Sequence, residues 1–443
     1  MRHWFKDQHM RSLLKNSSYL GASRIVAAIA AVVTLAITGR ALGVMMFGLL
    51  ILIHSYAQAA SSLSKFQSWQ IVVRYGGEGL VAGRPEDFKV ATGFSFGLDI
   101  LSGIVGMLLA MAVLPLIGGW FGIPDRYILL SILYCTVIPT MQAMTPSGVL
   151  RTLDRFDLVS WGGITYPIAR MVLAAIAWAS DAPFEIYIAI WWVTDLGGDL
   201  YMWWLTHREL KRRDMADALR PTLRPHPLKG AWKFAIRVNV TSSLTAAWGP
   251  IARLIVGGLL GPASAAFYRV AATLADSAQR PTDLLARAFY PEVMRLDPRT
   301  KRPWKLTLRG AAIAAMFGVL AVLLVAFAGE PLIQLMFGSQ FAPAYPVLAV
   351  LIIAPLLAMI SFPLEPMLYR LDRSDAPLTA RIVATTVYFV IVAPLSWRFG
   401  VQGAAAAFVI GTVVFVAILS LQLWREYRRL HPASRSAKAL DDC

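Results

Sequence analysis

The chain has 443 residues, 57% of them apolar and only 15% charged, with a mean hydropathy of +0.58; a soluble domain carries about 25% charge, so a polytopic membrane protein is expected instead. Lys and Arg number 42 against 26 Asp and Glu, a net charge of +16, which cytoplasmic loop charges and anionic lipid headgroups explain without a nucleic-acid partner. The two cysteines, Cys135 and Cys443, give neither a disulfide framework nor metal-ligand spacing, and no metal or cofactor is expected.

The tail before the first apolar run is too long and polar for a cleaved signal peptide, so the first helix should stay as a signal anchor. Windows long enough to cross about 30 Å of hydrocarbon fall at 18–39, 46–65, 90–115, 127–147, 158–178 and 185–206. A second set falls at 236–260, 264–286, 309–329, 345–367, 379–396 and 401–423. Between the sets, 207–233 carries eight basic residues and Pro221, Pro225 and Pro227, which suits a cytoplasmic linker. The expected fold is all-α, with about 12 transmembrane helices in two six-helix lobes at 1–206 and 234–424, and a cytoplasmic tail at 425–443.

Three landmarks recur in order. Leu42-Gly43 returns as Leu260-Gly261, 218 residues on, and Leu150-x-x-Leu153-Asp154-Arg155-x-Asp157 returns as Leu368-x-x-Leu371-Asp372-Arg373-x-Asp375 at the same offset. Leu116-Ile117-x-x-Trp120-Phe121-Gly122 returns as Leu332-Ile333-x-x-Met336-Phe337-Gly338, 216 residues on. A duplicated half in so apolar a chain points to a transporter with two related lobes. Six spans per half make the repeats parallel, with a site expected between the lobes near mid-membrane.

Lys and Arg set the orientation. With an internal N-terminus, 32 basic residues lie in inside segments and at their span edges, and only Arg40, Arg126 and Arg398 lie outside. Both termini are therefore expected in the cytoplasm. The chain has no G-x-x-x-x-G-K-[ST] phosphate loop, no H-E-x-x-H pair and no G-x-S-x-G elbow, and its longest outside loop is the stretch from Gly329 to Tyr345. An enzyme is not expected.

Seven arginines fall inside the expected spans: Arg24, Arg170, Arg237, Arg253, Arg269, Arg280 and Arg381. Each costs about 2.5 to 3.5 kcal/mol at a bilayer centre, so each should face the bundle interior or snorkel to an interface. Arg237 and Arg381, near cytoplasmic ends, read as snorkelling. Arg253 follows Gly249-Pro250, a pair expected to kink its helix and line a cavity. Arg269, Asp276, Arg280, Asp283 and Arg287 share one face of the eighth span. There Asp276 with Arg280 and Asp283 with Arg287 are i,i+4 pairs able to neutralise each other. Arg269 has no acid four residues away, which makes it the ligand candidate on that face.

Leaving Glu185 aside at an outer span edge, the acids in the spans are Asp99, Asp195, Asp199, Asp276, Asp283 and Glu365. All but Asp283 are candidates for ion coupling, since burial can bring a carboxyl toward neutral pKa, and pairing with a buried arginine is the alternative. Asp195 and Asp199 share a face flanked by Trp191-Trp192 and Trp203-Trp204, read either as interfacial anchors or as platforms for sugar rings. Seven arginines against six acids give a neutral to positive interior, which favours an anionic substrate, and arginine forks match phosphate best.

The motifs together are similar to those of the Wzx-type oligosaccharide flippases of polysaccharide biosynthesis, within the MATE-like multidrug/oligosaccharidyl-lipid/polysaccharide exporter superfamily. The residues that carry the resemblance are Gly39-Arg40-Ala41-Leu42-Gly43 through Phe47-Gly48, Val72-Val73-Arg74-Tyr75, and Leu150-Arg151 to Asp157. Leu260-Gly261 to Tyr268-Arg269-Val270-Ala271, Pro291-Glu292-Val293 and Phe337-Gly338 complete the set. The resemblance implies a MATE-like V-shaped bundle in the bacterial inner membrane that moves a polyprenyl-diphosphate-linked oligosaccharide, a lipopolysaccharide or exopolysaccharide repeat unit, by alternating access. It also implies membrane lipid, a polysaccharide polymerase and assembly proteins as partners. Arg24, Arg253 and Arg269 would hold the diphosphate, with Arg170 and Arg280 in support. A multidrug or cation antiporter of the same superfamily is the alternative, and a membrane glycosyltransferase or ligase a third.

Overall fold

The computed structural model describes residues 8–141, 144–371, 373 and 375–430; the side chains of residues 8–20 and of Arg237, Arg280, Asp283 and Arg287 lie outside the described residues, as do Asp372 and Cys443. The described residues form helices and turns: α1 (Gln8–Ser64), α2 (Trp69–Ile71), α3 (Gly77–Val81), α4 (Pro85–Ile117), α5 (Ile128–Tyr134), α6 (Met144–Thr152), α7 (Phe156–Ala179), α8 (Phe184–Arg212) and α9 (Ala231–Leu260). They continue with α10 (Pro262–Arg295), α11 (Lys301–Phe337), α12 (Ala344–Leu351), α13 (Ile353–Ser361), α14 (Leu364–Arg370) and α15 (Asp375–Leu430). Among the described residues, six stretches are long and apolar enough to cross a membrane, in α1, α4, α7, α11, α12 through α14, and α15. With α1 and α15 each counted as two spans and α5–α6 as one, the helix order is consistent with twelve.

Glycine divides the two longest helices. Gly43 breaks α1 at φ 68°, ψ 171°, and Gly400 breaks α15 at φ 60°, ψ −143°. Gly261, 218 residues beyond Gly43, separates α9 from α10 with nearly the same backbone, φ 86° and ψ 170°. That region is almost closed to any residue with a Cβ. The Leu-Gly landmark therefore marks the same hairpin between consecutive spans twice.

The Leu-Asp-Arg-x-Asp landmark builds the same clamp twice. Arg155 donates from Nε and Nη2 to the two carboxylate oxygens of Asp157 at 2.9 and 2.8 Å, and from Nη1 to Glu209 on α8. Arg373 donates from Nε and Nη2 to Asp375 at 3.1 and 3.3 Å, and from Nη1 to Glu426 on α15. A second arginine reaches each glutamate: Arg213 at 2.9 Å and Arg429 at 3.3 Å. The backbone agrees, with Arg155 N–H donating to Leu150 C=O at 2.8 Å and Arg373 N–H to Leu368 C=O at 3.0 Å. Hydrogen bonds to Asp157 and Asp375 push both guanidinium pKa values further above their ordinary range, so the clamps stay charged. Each clamp pins the loop after a half's fourth span to that half's last helix.

The fourth and tenth spans, expected as single helices, are interrupted. The fourth runs as α5, a 3₁₀ turn at Cys135–Val137 and turns around Pro139 before α6 begins. The tenth is split among α12, α13 and α14 at Ile352 and Phe362-Pro363. Proline lacks an N–H and its ring clashes with the preceding turn, so a proline-bearing span frees carbonyls that need another donor. By contrast α9 continues helical through Gly249-Pro250, and that pair does not interrupt the element.

The chain divides into two compact units, Met1–Ala266 and Phe267–Cys443. The division falls within α10, and α9 packs along α1 in the first unit. In the first unit α1 also lies along α7, and α7 against α8. In the second, α11 packs on α12 and α13, which pack on α15. Its core joins Phe289, Val293, Met367, Leu368 and Leu419.

Candidate functional site

The second half of α1 carries polar residues at three- and four-residue steps: His54, Ser55, Gln58, Ser61, Ser62 and Lys65 just past its end. A helix places such residues along one stripe, and three polar centres of the first unit attach to it.

The first centre holds Arg253. It is 6% exposed and donates from Nε to Ser55 Oγ at 2.7 Å and from Nη2 to Gln58 Oε1 at 2.9 Å. One turn earlier on α9 the guanidinium lies over Gly249, where a Cβ would sit in ordinary contact, 3.5 Å from Arg253 Nη1. Helical side chains lean toward the N-terminus, which brings the guanidinium back over the preceding turn. The two acceptors fix the plane of the fork.

The second centre gathers Arg170 of α7 and Asp195 of α8. Arg170 Nη2 donates to Asp195 Oδ1 and, at 3.3 Å, to the Trp191 carbonyl, while Nε donates to Thr194 Oγ1 at 2.7 Å. The guanidinium also lies 4.8 Å from the centroid of the Trp191 ring. The Tyr134 hydroxyl donates to Asp195 Oδ2 at 2.7 Å, and His54 Nδ1 lies 2.9 Å from that hydroxyl and 3.5 Å from Asp195 Oδ2. Because the hydroxyl has one proton and gives it to Asp195, His54 Nδ1 is the donor to Tyr134. Four helices, α1, α5, α7 and α8, thus meet at one carboxylate.

The third centre lies at the interruption of the fourth span. Lys65, 3% exposed, donates from Nζ to the carbonyls of Pro139, at 3.1 Å, and Met141. Asp99, also 3% exposed, accepts from Ser68 Oγ at 2.7 Å, from Thr145 Oγ1 at 2.7 Å and from the Thr145 backbone N–H at 3.0 Å. The ammonium and carboxylate thereby satisfy groups on both sides of the gap: two carbonyls of the turns that follow Cys135–Val137 and an early N–H of α6. Asp199 lies within electrostatic reach of the same ammonium.

Among the residues expected at the site, Arg24 is exposed on α1, while Arg253 and Arg170 are buried in the first unit. Arg269 is half-buried and Asp276 exposed on α10; the side chain of Arg280 lies outside the described residues. Arg381, expected to snorkel, has a side chain 35% exposed and lies 3.8 Å from Glu365 and 4.0 Å over the Phe415 ring. Asp99, Asp195 and Glu365, candidates for ion coupling, each meet a basic group. Trp191 is 2% exposed and edge-on to His54, and Trp192 donates to Thr136 Oγ1 at 2.7 Å. Trp191 is thus packed between helices and is no open platform for a sugar, whereas Trp192 is partly buried and Trp204, 51% exposed, is accessible.

Sequence reasoning missed Lys65, His54 and Tyr134. Lys65 stands at the edge of the second expected span, where hydropathy gives a loop charge, and its burial follows from the interruption around Pro139. The periodic polar residues from His54 to Lys65 were the available signal.

The model of the family described as polysaccharide biosynthesis protein matches residues 13–296. The chain is 39% identical over 347 residues to the Inner membrane protein YghQ of Escherichia coli (strain K12), spanning 78% of this chain and 98% of that relative. An inward-facing multidrug resistance MATE family transporter of the MOP superfamily superposes with a TM-score of 0.68 at 16% identity, covering 95% of this chain and 96% of that one. The lipid II flippase MurJ in an inward closed conformation gives 0.66 at 12% identity over 93% and 87% of the two chains. The Vibrio cholerae MATE transporter VcmN gives 0.63 at 13% identity over 95% and 97%. The chain therefore belongs to the polysaccharide biosynthesis protein family of multi-pass membrane proteins and has the all-α MATE-like fold.

Proposed function

We propose that the chain is a flippase that moves a polyprenyl-diphosphate-linked oligosaccharide across the inner membrane by alternating access, without forming or breaking a covalent bond. The family match supports it, as does a fold shared with a lipid II flippase and with multidrug transporters. The observation that carries the reading is Arg253: a buried guanidinium whose orientation is fixed by two neutral acceptors, Ser55 and Gln58, on a neighbouring helix. A pre-oriented fork suits a diphosphate, which binds guanidinium groups in a bidentate, charge-assisted way. In this proposal Arg24 and Arg253 contact the diphosphate, and Arg269 and Arg280 are further candidates for it. Arg170 supports at a distance, because its donors are directed at Asp195, Thr194 and Trp191.

The alternative, a cation antiporter, needs carboxylates available to a cation. Asp99 and Asp195 are already engaged, the first by Ser68, Thr145 and the nearby Lys65, the second by Arg170 and Tyr134, which favours the anionic substrate. The test is glycan export from cells carrying Arg24→Ala or Arg253→Ala at normal membrane levels. Export should be lost in both, and Arg253→Lys should restore little because the fork is gone. Full export by both alanine variants would remove these residues from the site.

A further inference from the structure

We propose that Lys65 is a tethered cation: its ammonium occupies a monovalent-cation site built into the interrupted fourth span, so that this unit holds permanently the charge that a diffusible ion would otherwise supply. Interrupted helices at membrane depth bind Na⁺ through carbonyls freed from the helical ladder, assisted by nearby carboxylates. The surroundings of Lys65 Nζ have that donor set. The Pro139 and Met141 carbonyls accept its hydrogen bonds, and Asp99 and Asp199 are the carboxylates within electrostatic reach.

The protein has invested in the position as a charge centre. Lys65 and Asp99 are each 3% exposed, and Asp99 is held by three hydrogen bonds from Ser68 and Thr145. Burial favours the neutral form of such a carboxyl, and a cation nearby is what favours its ionised form. A lysine at the end of α1 supplies it from the helix that also carries Ser55 and Gln58, the two acceptors of Arg253. The inference goes beyond the substrate reading and does not depend on it. Its consequence for transport is that Asp99 is no coupling acid: the cation beside it cannot leave during a cycle.

Lys65→Met tests this. Methionine keeps most of the stem and ends short of Nζ, so the variant vacates the ammonium position and little else. Thermal unfolding of the purified full-length protein in detergent would be followed in sodium, potassium, ammonium or choline chloride at constant ionic strength. Wild type should unfold at one midpoint in all four salts. Lys65→Met should unfold several degrees lower in choline and recover with a saturable dependence on ammonium or sodium, choline being too large to enter. Lys65→Met combined with Asp99→Asn should lose that cation dependence, because the carboxylate that calls for a cation has gone. A Lys65→Met variant with the same midpoint in every salt would overturn the proposal. So would a cation response that persists in the double variant, or a Lys65→Met protein that cannot be recovered folded even from ammonium- or sodium-rich buffer.

Discussion

The pair Arg170 and Asp195 gives the sharpest stability prediction, because both partners are buried and their contacts are known. Their side chains are 10% and 12% exposed, and the guanidinium divides its hydrogen bonds among Asp195, Thr194 and the Trp191 carbonyl. Removing one partner of a buried pair costs about 3–5 kcal/mol, mostly because the other charge is left uncompensated. Arg170→Met strands Asp195 with the Tyr134 hydroxyl and nearby His54, so its loss should fall toward the lower end, about 3 kcal/mol. Asp195→Asn keeps an acceptor for Tyr134 but leaves Arg170 facing a neutral amide, and should cost a similar amount. The double variant restores charge balance and should cost less than either single change, at most about 2 kcal/mol. Denaturant unfolding of the purified proteins in mixed micelles would measure the cycle. Additive losses would refute the argument, since they would mean that neither charge depends on the other.

Three further outcomes follow from the geometry and the charge pattern. Glu209→Ala should lower the unfolding midpoint more than Glu426→Ala, by about 1.5–3 kcal/mol against less, because Glu209 is 5% exposed and Glu426 13%, beside arginines 26% and 35% exposed; the reverse order in a denaturant titration would contradict the clamp argument. If Asp276 and Arg280 only neutralise each other, Asp276→Arg with Arg280→Asp should rescue export lost in either single variant, whereas diphosphate contact by Arg280 keeps the exchange inactive at normal membrane levels. Cysteines introduced at Asp181 and Ser339 should react with an impermeant thiol reagent in intact cells, and one at Arg213 should not; the opposite pattern would overturn the cytoplasmic placement of the termini.

The duplication was legible in the sequence because its landmarks are local. Gly43 and Gly261 recur since only glycine takes that backbone, and Arg155 and Arg373 recur since each must reach an aspartate two residues on. The glutamates completing the clamps, Glu209 and Glu426, lie 54 and 53 residues from their arginines, a separation at which sequence shows no contact. Span positions followed from hydropathy, but the interruption of the fourth span did not, since a proline in an apolar run is compatible with a kinked, continuous helix. The burial of Lys65 depends on that interruption and was hidden with it. Arg253 stood out as a charge among apolar residues, yet Ser55 and Gln58 lie almost 200 positions earlier in the chain. Hydropathy showed that the charge was buried; only the packing of α9 on α1 shows what orients it.

The central claim is tested most directly by reconstituting the purified protein into liposomes that carry a fluorescent polyprenyl-diphosphate-linked oligosaccharide in both leaflets, and measuring the fraction that becomes accessible to an impermeant glycosidase. Wild-type protein should make the inner-leaflet glycan accessible at a rate that scales with protein per vesicle, and Arg253→Ala should leave it protected. A wild-type rate equal to that of protein-free vesicles, with proton- or sodium-driven release of a cationic dye from the same liposomes, would contradict the flippase account and favour the antiporter.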